Sequence, residues 1–245
     1  MRVEKVFNFR KMEGVKIMFW MAMGIGILLG LRHALDADHV VAVSTMALEE
    51  RNLLRGGWIG FCWGVGHALV LFLFGGALIL SGIRLPEVVG RWLEGGVGVM
   101  LILIALGSWR RMRRSKLHIH VHQHDGERYH THFHVHDDSP RHLEKHHGWK
   151  GSHSFLIGTV HGLAGTGAVM VLTIAAVSDP LQRIAYLASF GLGTILSMTL
   201  FSLSLTLITK LLNRQSFRFS HVLPMGAAGL SAVIGVMIIV ESMLG

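Results

Sequence analysis

The sequence predicts an all-α fold: a polytopic membrane helical bundle of about six transmembrane helices, arranged as two inverted three-helix repeats. Composition favours a membrane protein, because 51% of the 245 residues are hydrophobic and only 16% are charged, whereas soluble domains average about 25% charged residues. The chain also contains six long apolar stretches. Crossing a bilayer as a helix takes about 20 apolar residues, so these stretches are candidate spans.

The six predicted helices follow one another through short connections, except in the middle of the chain. They cover residues 17–31, 57–82, 95–109, 154–178, 185–209 and 222–240. The third reaches spanning length only if it begins near Val88 and holds Arg91 and Glu94 at the membrane interface. All four prolines fall in connections or near a helix start, where the fixed φ and the missing N–H are tolerated.

A polar, histidine-rich segment over residues 110–153 separates the helices into two groups of three. We therefore predict a first repeat over residues 1–109 and a second over residues 154–245. Lys and Arg are more frequent in the connections on the side of this segment than on the other side. Because positively charged loops stay cytoplasmic, we expect a cytoplasmic 110–153 loop in a multi-pass protein of the cell membrane.

The two groups of helices carry related short motifs. Gly30–Asp36 resembles Gly158–Ala164, and Trp63–His67 resembles Phe190–Thr194, with nearly equal spacing in both halves. An odd number of helices turns the second copy upside down in the membrane. Inverted repeats place their binding site near the bilayer midplane, at the interface between the repeats.

Ionisable residues appear abruptly at the end of the first apolar stretch. The run from Ile17 to Leu31 carries no charge. It is followed closely by Arg32, His33, Asp36, Asp38 and His39. Each charge at mid-membrane costs about 2.5–3.5 kcal/mol, so such residues usually mark an ion or substrate path. Imidazoles and carboxylates together form a ligand set for a divalent transition metal.

The predicted metal ligands come from the first, second and fourth helices. They are His33, Asp38, His39, His67 and His161. A straight helix separates His33 from Asp38 by about 140°, so the first helix is either locally unwound, as in transporters, or some members only orient others. The alternative is a buried structural ion-pair network, which leaves negative charge unbalanced.

Arg32 and Asp36 have supporting roles in this prediction. Asp36 can pair with Arg32, one turn earlier on a helix, or it can orient the imidazole of His39. Carboxylates commonly fix the orientation of a metal-binding histidine in this way.

The run His33-Ala-Leu-Asp-Ala-Asp38-His39 resembles the HX4DH signature of the nickel/cobalt transporter family, and Arg32 extends the match. Gly64–His67 and His161–Gly165 resemble other motifs of that superfamily. The resemblance implies transport of Ni²⁺ or Co²⁺ with the signature residues essential. This chain has six predicted spans where the typical importer has eight, and its histidine-rich loop is a feature of related efflux proteins. Uptake is slightly favoured, and efflux stays open.

The loop contains two runs of alternating histidines around an Asp-Gly pair. They are His118, His120, His122, His124, His130, His132, His134 and His136. Period-2 alternation around such a pair predicts a hairpin, and pairing about Glu127 would place all eight on one face. A disordered metal-binding tract is the alternative. Imidazole binds Ni, Co, Cu and Zn, so the loop does not select a metal, and Zn²⁺ is possible there.

Together these patterns predict an integral membrane permease for Ni²⁺ and/or Co²⁺ with a midplane His/Asp site, no catalytic activity and no resident cofactor. Its partners are divalent metal ions and membrane lipids, with the oligomeric state open. The net charge of +8 does not indicate nucleic acid, because the basic residues lie at helix ends and in loops. Two other classes stay open: a membrane-embedded metallohydrolase, although no HExxH motif is present, and a metal-storage protein that uses mainly the loop.

Overall fold

The computed structural model describes residues 2–50, 52–83, 85–114, 117–122, 130–135, 147–177, 179–213 and 219–244. Almost all of them are helical. The helices are α1 (Arg2–His33), α2 (Ala37–Ala47), α3 (Leu53–Val70), α4 (Gly76–Ser81), α5 (Glu87–Arg114), α6 (His147–Ala176), α7 (Pro180–Asn213) and α8 (Phe219–Leu244). A π-helical turn, Leu71–Gly75, joins α3 to α4. Helices α5 and α6 extend into the predicted loop from either side.

Four helical segments are long and apolar enough to cross a membrane. They are Leu53–Ser81, Glu87–Arg113, Gln182–Leu212 and Val222–Leu244. A fifth is obtained if the bent pair Lys16–His33 and Ala37–Ala47 forms one span. Helix α6 covers the remaining predicted stretch but is not counted by this criterion over the residues that the structure describes. The prediction of an all-helical membrane bundle is confirmed, with four or five membrane-capable helices.

The first predicted helix is broken near its charged residues. Helix α1 ends at His33, α2 begins at Ala37, and the two helices meet at a bend of 61°. Asp36 precedes α2 with an extended backbone, at φ −63° and ψ 149°. The locally unwound form, one of the two alternatives left by helix geometry, is therefore the one observed.

Glycines let two pairs of helices pack with their backbones in contact. A methyl group at Gly30 of α1 would overlap the carbonyl oxygen of Phe190 in α7. In the same way, a methyl group at Gly158 of α6 would overlap the carbonyl oxygen of Trp63 in α3. Small residues at helix crossings are the usual basis of packing between membrane helices, where van der Waals contact replaces the hydrophobic effect.

Helices α5 and α8 form a further close pair. A methyl group at Gly98 would lie 2.6 Å from the carbonyl oxygen of Gly235, and one at Gly235 would lie 2.6 Å from that of Gly98. One turn away, a methyl group at Gly95 would lie 3.0 Å from Ser242 Oγ. The paired positions run in opposite directions along the two helices, so α5 and α8 are antiparallel.

Hydroxyl groups on α7 tie this helix to the first half of the chain. The bonds run from Thr194 Oγ1 to Gly30 O (3.3 Å), from Ser197 Oγ to Leu31 O (3.0 Å) and from Ser202 Oγ to Gly56 O (2.6 Å). Such hydrogen bonds between helices add to packing where water is excluded. Helix α7 thus holds α1 and α3 in place around the centre of the bundle.

Strands β1 (Leu117–His122) and β2 (His130–Val135) form an antiparallel hairpin between α5 and α6. The pairs include His118–His134, His120–His132 and His122–His130. The predicted pairing about Glu127 is wrong by two residues, because the observed register is centred on position 126, in the turn-favouring Asp-Gly pair. Because successive strand positions alternate between the two faces, a register shift of two residues leaves each position on the same face. His124, His136 and the turn lie outside the described residues.

Candidate metal centre

The predicted ligand residues lie together inside the bundle. His33 ends α1, Asp38 and His39 stand in the first turn of α2, His67 belongs to α3, and His161 belongs to α6. His39 is central: its ring centroid lies 4.6 Å from that of His33, 5.1 Å from that of His67 and 4.0 Å from that of His161. The helix break is what allows His33 and His39, one on each side of it, to face the same point.

Small residues on α6 make room for the imidazoles. A methyl group at Gly162 would lie 2.5 Å from the carbonyl oxygen of His67, so α6 and α3 touch at this level. A methyl group at Gly165 would lie 3.7 Å from His33 Nε2 and 3.9 Å from His67 Cε1. His39, His67 and His161 are almost completely buried, at 1%, 0% and 2% exposure.

Two carboxylates orient three of the four imidazoles. Asp38 accepts one hydrogen bond from His39 Nδ1 (3.1 Å) and another from His161 Nε2 (2.7 Å). Asp36 accepts a hydrogen bond from His33 Nδ1 (2.9 Å). Each bond holds one ring nitrogen as a donor and leaves the other available as a lone pair.

The predicted partners of Asp36 are wrong. Its carboxylate contacts neither the exposed Arg32 nor His39 among the described interactions, but instead the imidazole of His33. The physical reason is the break between α1 and α2, which removes the one-turn helical spacing from Arg32 and folds Asp36 back over the end of α1. Asp38, the next carboxylate, orients His39 in its place.

Several imidazole nitrogens of the cluster are buried and have no hydrogen-bond partner within the described part of the chain. They are His33 Nε2, His39 Nε2, His67 Nδ1, His67 Nε2 and His161 Nδ1. Buried polar atoms are nearly always bonded, and leaving one unpaired costs about 1–3 kcal/mol. Unpaired nitrogens that converge in this way carry a free-energy cost. Coordination of a bound cation would remove that cost.

The donor atoms form two overlapping groups of metal-binding size. One group is His33, His39 and His67, and the other is Asp38, His39 and His161, with the donor atoms of each within 4.8 Å of one another. Around a tetrahedral ion with bonds of about 2.0 Å, donors lie about 3.3 Å apart. A small inward movement of side chains would therefore bring either group into coordination range.

A cavity of about 490 Å³ opens beside the cluster, between the helix break, α5, α6 and α8. His33, Asp38, His39 and His161 are among its lining residues, and the near-complete burial of His39 and His161 marks this side as its inner end. Its lining also includes Glu94 of α5 and Glu241 of α8. Sequence reasoning treated Glu94 only as an interfacial residue and did not single out Glu241. The sequence signal that could have identified Glu241 was the presence of an acidic residue within an apolar helix.

Several apolar helices of membrane length indicate a multi-pass membrane protein, and the buried His/Asp cluster lies among them at a broken helix. Residues 76–230 match the family described as the cytochrome C biogenesis protein transmembrane region. The chain is also 31% identical to the urease accessory protein UreH of Bacillus sp. (strain TB-90), over 73% of each chain. The protein therefore belongs to this transmembrane family, and it is also a relative of UreH.

Two further relatives are more distant or match over a shorter length. The chain is 24% identical to the chloroplast protein FOR GROWTH AND FERTILITY 2 of Arabidopsis thaliana, over 90% of this chain and 56% of that protein. It is 45% identical to the nickel transporter NixA of Staphylococcus aureus (strain NCTC 8325 / PS 47) over 56 residues, or 20% of this chain and 16% of that protein. No solved structure matches the chain.

Proposed function

We propose that the protein is a permease that carries a divalent transition-metal ion, Ni²⁺ and/or Co²⁺, across the cell membrane. The observation that carries the proposal is a set of buried imidazole nitrogens that converge inside a multi-pass helical bundle and have no hydrogen-bond partner among the described residues. The relative named as a nickel transporter supports the same class of cargo. The names of the relatives denote an accessory protein and a transporter rather than an enzyme, so catalysis is not part of the proposal.

In this proposal His33, His39 and His67 supply the inner ligands. The bonds from the Nδ1 atoms of His33 and His39 to carboxylates leave both Nε2 atoms as metal-binding lone pairs, as is usual in imidazole metal sites. His67 offers either ring nitrogen, since neither is bonded to any residue that the structure describes. Three neutral nitrogens suit Ni²⁺, Co²⁺, Cu²⁺ and Zn²⁺ alike, so metal preference depends on geometry and on supply.

Asp38 and His161 complete the proposed site. Asp38 brings a negative charge beside the ion, and its second oxygen reaches His161. An ion that enters the group of Asp38, His39 and His161 would bind a carboxylate oxygen in place of that hydrogen bond. Because both groups share His39, the ion can pass between them without leaving the imidazoles.

We also propose that residues 1–109 and 154–245 are inverted copies of one three-helix unit. The support is reciprocal packing. Gly30 contacts the carbonyl of Phe190, and Gly158 contacts that of Trp63. Gly30 corresponds to Gly158 in the sequence motifs, as Phe190 corresponds to Trp63, so each contact is the image of the other.

A second set of contacts shows the same correspondence between the two halves of the chain. Gly66 of α3 lies against the carbonyl of Phe155 in α6, and Gly193 of α7 lies against that of Ile27 in α1. A two-fold axis in the membrane plane would relate these contacts and would pass between α5 and α8, whose paired glycines face each other. Such an axis places the ligand cluster near the midplane and suits alternating access.

Uptake is our working proposal and efflux is the alternative, with the 110–153 segment on the cytoplasmic side. The eight alternating histidines between His118 and His136 are proposed to bind metal and tune transport, since they lie between the predicted spans. The segment can concentrate an ion near the site without replacing the buried ligands.

The test is a flux assay in proteoliposomes that contain the purified full-length protein. Ni²⁺, Co²⁺ or Zn²⁺ is supplied on either side, and its movement is followed with a trapped metal indicator. We expect saturable flux of Ni²⁺ or Co²⁺, and the side dependence gives the direction. Absence of flux for every metal, from protein that is folded and inserted, would reject the permease.

A further inference from the structure

We propose that Glu94 and Glu241 form an outer cation site at the mouth of the cavity, where a hydrated divalent ion waits before it reaches the imidazoles. This inference rests on the proposed transport function and adds a second site of different chemistry. The outer site would have oxygen donors and would bind the ion with its water, whereas the inner site would have nitrogen donors and would bind the bare ion.

The helix packing brings the two carboxylates to the same end of the α5/α8 pair. A methyl group at Gly95 would lie 3.0 Å from Ser242 Oγ, and Glu94 and Glu241 are the sequence neighbours of these two residues. Both carboxylates line the cavity that ends on the cluster. Both are exposed, and neither has a hydrogen bond or an ion pair with another described residue.

The cavity connects these carboxylates to buried imidazole nitrogens that could bind a metal ion. His39 lines the same cavity with a side chain only 2% exposed, and its Nε2 has no partner in the described chain. The remaining lining residues are small or apolar: Ala37, Val97, Ala164, Gly165, Ile234, Met237 and Ile238. A cation attracted by the carboxylates therefore meets no other polar side chain from that lining before it reaches His33, Asp38, His39 and His161.

Size and charge both suit a hydrated ion. Six waters occupy about 180 Å³ at about 30 Å³ each, well within the 490 Å³ of the cavity. Two carboxylates at the end of an apolar-walled cavity focus the field and raise the local cation concentration. Hydrated Mg²⁺ binds through one or two carboxylates, so the outer site would accept any divalent cation, and selection would fall to the imidazoles.

The flux test uses the double variant Glu94→Gln/Glu241→Gln in proteoliposomes. We expect the apparent KM for Ni²⁺ to rise about 10-fold, within the range of electrostatic focusing, with little change in maximal flux. Millimolar Mg²⁺ should raise the apparent KM of the wild type for Ni²⁺, and it should not raise that of the variant. NaCl of equal ionic strength is the reference. Glu87→Gln is the matched control, because Glu87 lies on α5 outside the cavity lining.

A binding measurement separates this site from the transport proposal. Full-length protein carrying His33→Ala is titrated with Mn²⁺ and followed by electron paramagnetic resonance, with and without the two Glu→Gln changes. Loss of bound Mn²⁺ on adding those changes supports the outer site, even if no flux is found in any variant. Unchanged Mn²⁺ binding, or unchanged KM and Mg²⁺ competition in a wild type that transports Ni²⁺, overturns the outer site and leaves the permease standing.

Discussion

The α1/α7 pair and the α3/α6 pair are built alike but carry different side chains at the centre. In each pair a glycine lies against a carbonyl of the partner helix, Gly30 against Phe190 and Gly158 against Trp63. At the next turn, α3 presents His67, and within the described part of the chain neither of its ring nitrogens has a hydrogen-bond partner. Helix α7 presents Thr194, whose hydroxyl donates to Phe190 O (3.0 Å) and to Gly30 O (3.3 Å).

This difference separates the residues that pack the bundle from the residues that form the candidate metal site. Close backbone contact requires only that a side chain be absent, so it is found in both pairs. The ligand cluster requires particular side chains, and His161 is its one member from the second half. The hydroxyl of Thr194 is used in hydrogen bonds to backbone carbonyls. The ring nitrogens of His67 instead lie beside the other imidazoles and are available to a metal ion.

The largest effect is expected from the side chains that the two pairs do not share. His33→Ala or Asp38→Ala should abolish measurable metal flux, a loss of about 100-fold, which is the upper end of the 10–100-fold range for removing the orienting partner of a metal ligand. Flux in proteoliposomes measures it. His153→Ala, on the exposed start of α6, is the control. Wild-type flux in either folded variant would remove these residues from the site.

The shared feature should respond equally in both pairs. Gly30→Ala and Gly158→Ala should each destabilise the protein by about 1–3 kcal/mol, the usual cost of overpacking, because the new methyl group meets backbone that cannot rotate away. Thermal unfolding in detergent measures the change. Gly96→Ala, where the new methyl group would meet no atom of another described helix within 4 Å, should be neutral or slightly stabilising. A large effect in one pair only would break the equivalence.

The two carboxylates of the break sharpen the comparison within the first half. Asp38 bonds two imidazoles and its side chain is 28% exposed, whereas Asp36 bonds one and is 53% exposed. We therefore expect Asp38→Asn to weaken metal affinity by about 100-fold and Asp36→Asn by about 10-fold, the two ends of the range for partners of metal-binding histidines. Titration calorimetry of the purified variants checks the order. Equal losses would contradict the separate roles.

The smallest effect on maximal flux is expected outside the helices. Deleting residues 118–136 should change the apparent affinity or the metal level at which transport starts, and should leave flux at saturating metal intact. Metal binding by the loop itself should weaken between about pH 7 and about pH 5.5, because protonated imidazole does not bind metal. Complete loss of flux in an inserted deletion variant would place the loop in the transport path.

Much of the architecture follows from local sequence. Apolar runs long enough to span a bilayer predict helices wherever they occur, and the structure has helices over all six. The grouping of His33, Asp38 and His39 was visible because ionisable residues are costly in an apolar segment. Alternation of histidines with a turn signal also gave the hairpin as one of two alternatives, beside a disordered metal-binding tract, since strand side chains repeat with period two.

Other features were decided by tertiary structure. The register of the hairpin moved by two residues, because the alternating pattern is satisfied equally by any even shift. The pairing of Asp36 with His33 depends on the 61° bend at the helix break. A helical wheel assumes a straight axis and cannot supply that geometry.

By itself the sequence determined the helices, the membrane character and the residue types of the cluster, because each of these depends on the transfer of local side chains from water to lipid. The tertiary structure alone decided which imidazoles face each other, which carboxylate orients each of them, and that Glu94 and Glu241 share a cavity with the cluster. These relations join residues far apart in the chain. They depend on how closely glycine-bearing helices approach, which is a property of packed pairs rather than of single segments.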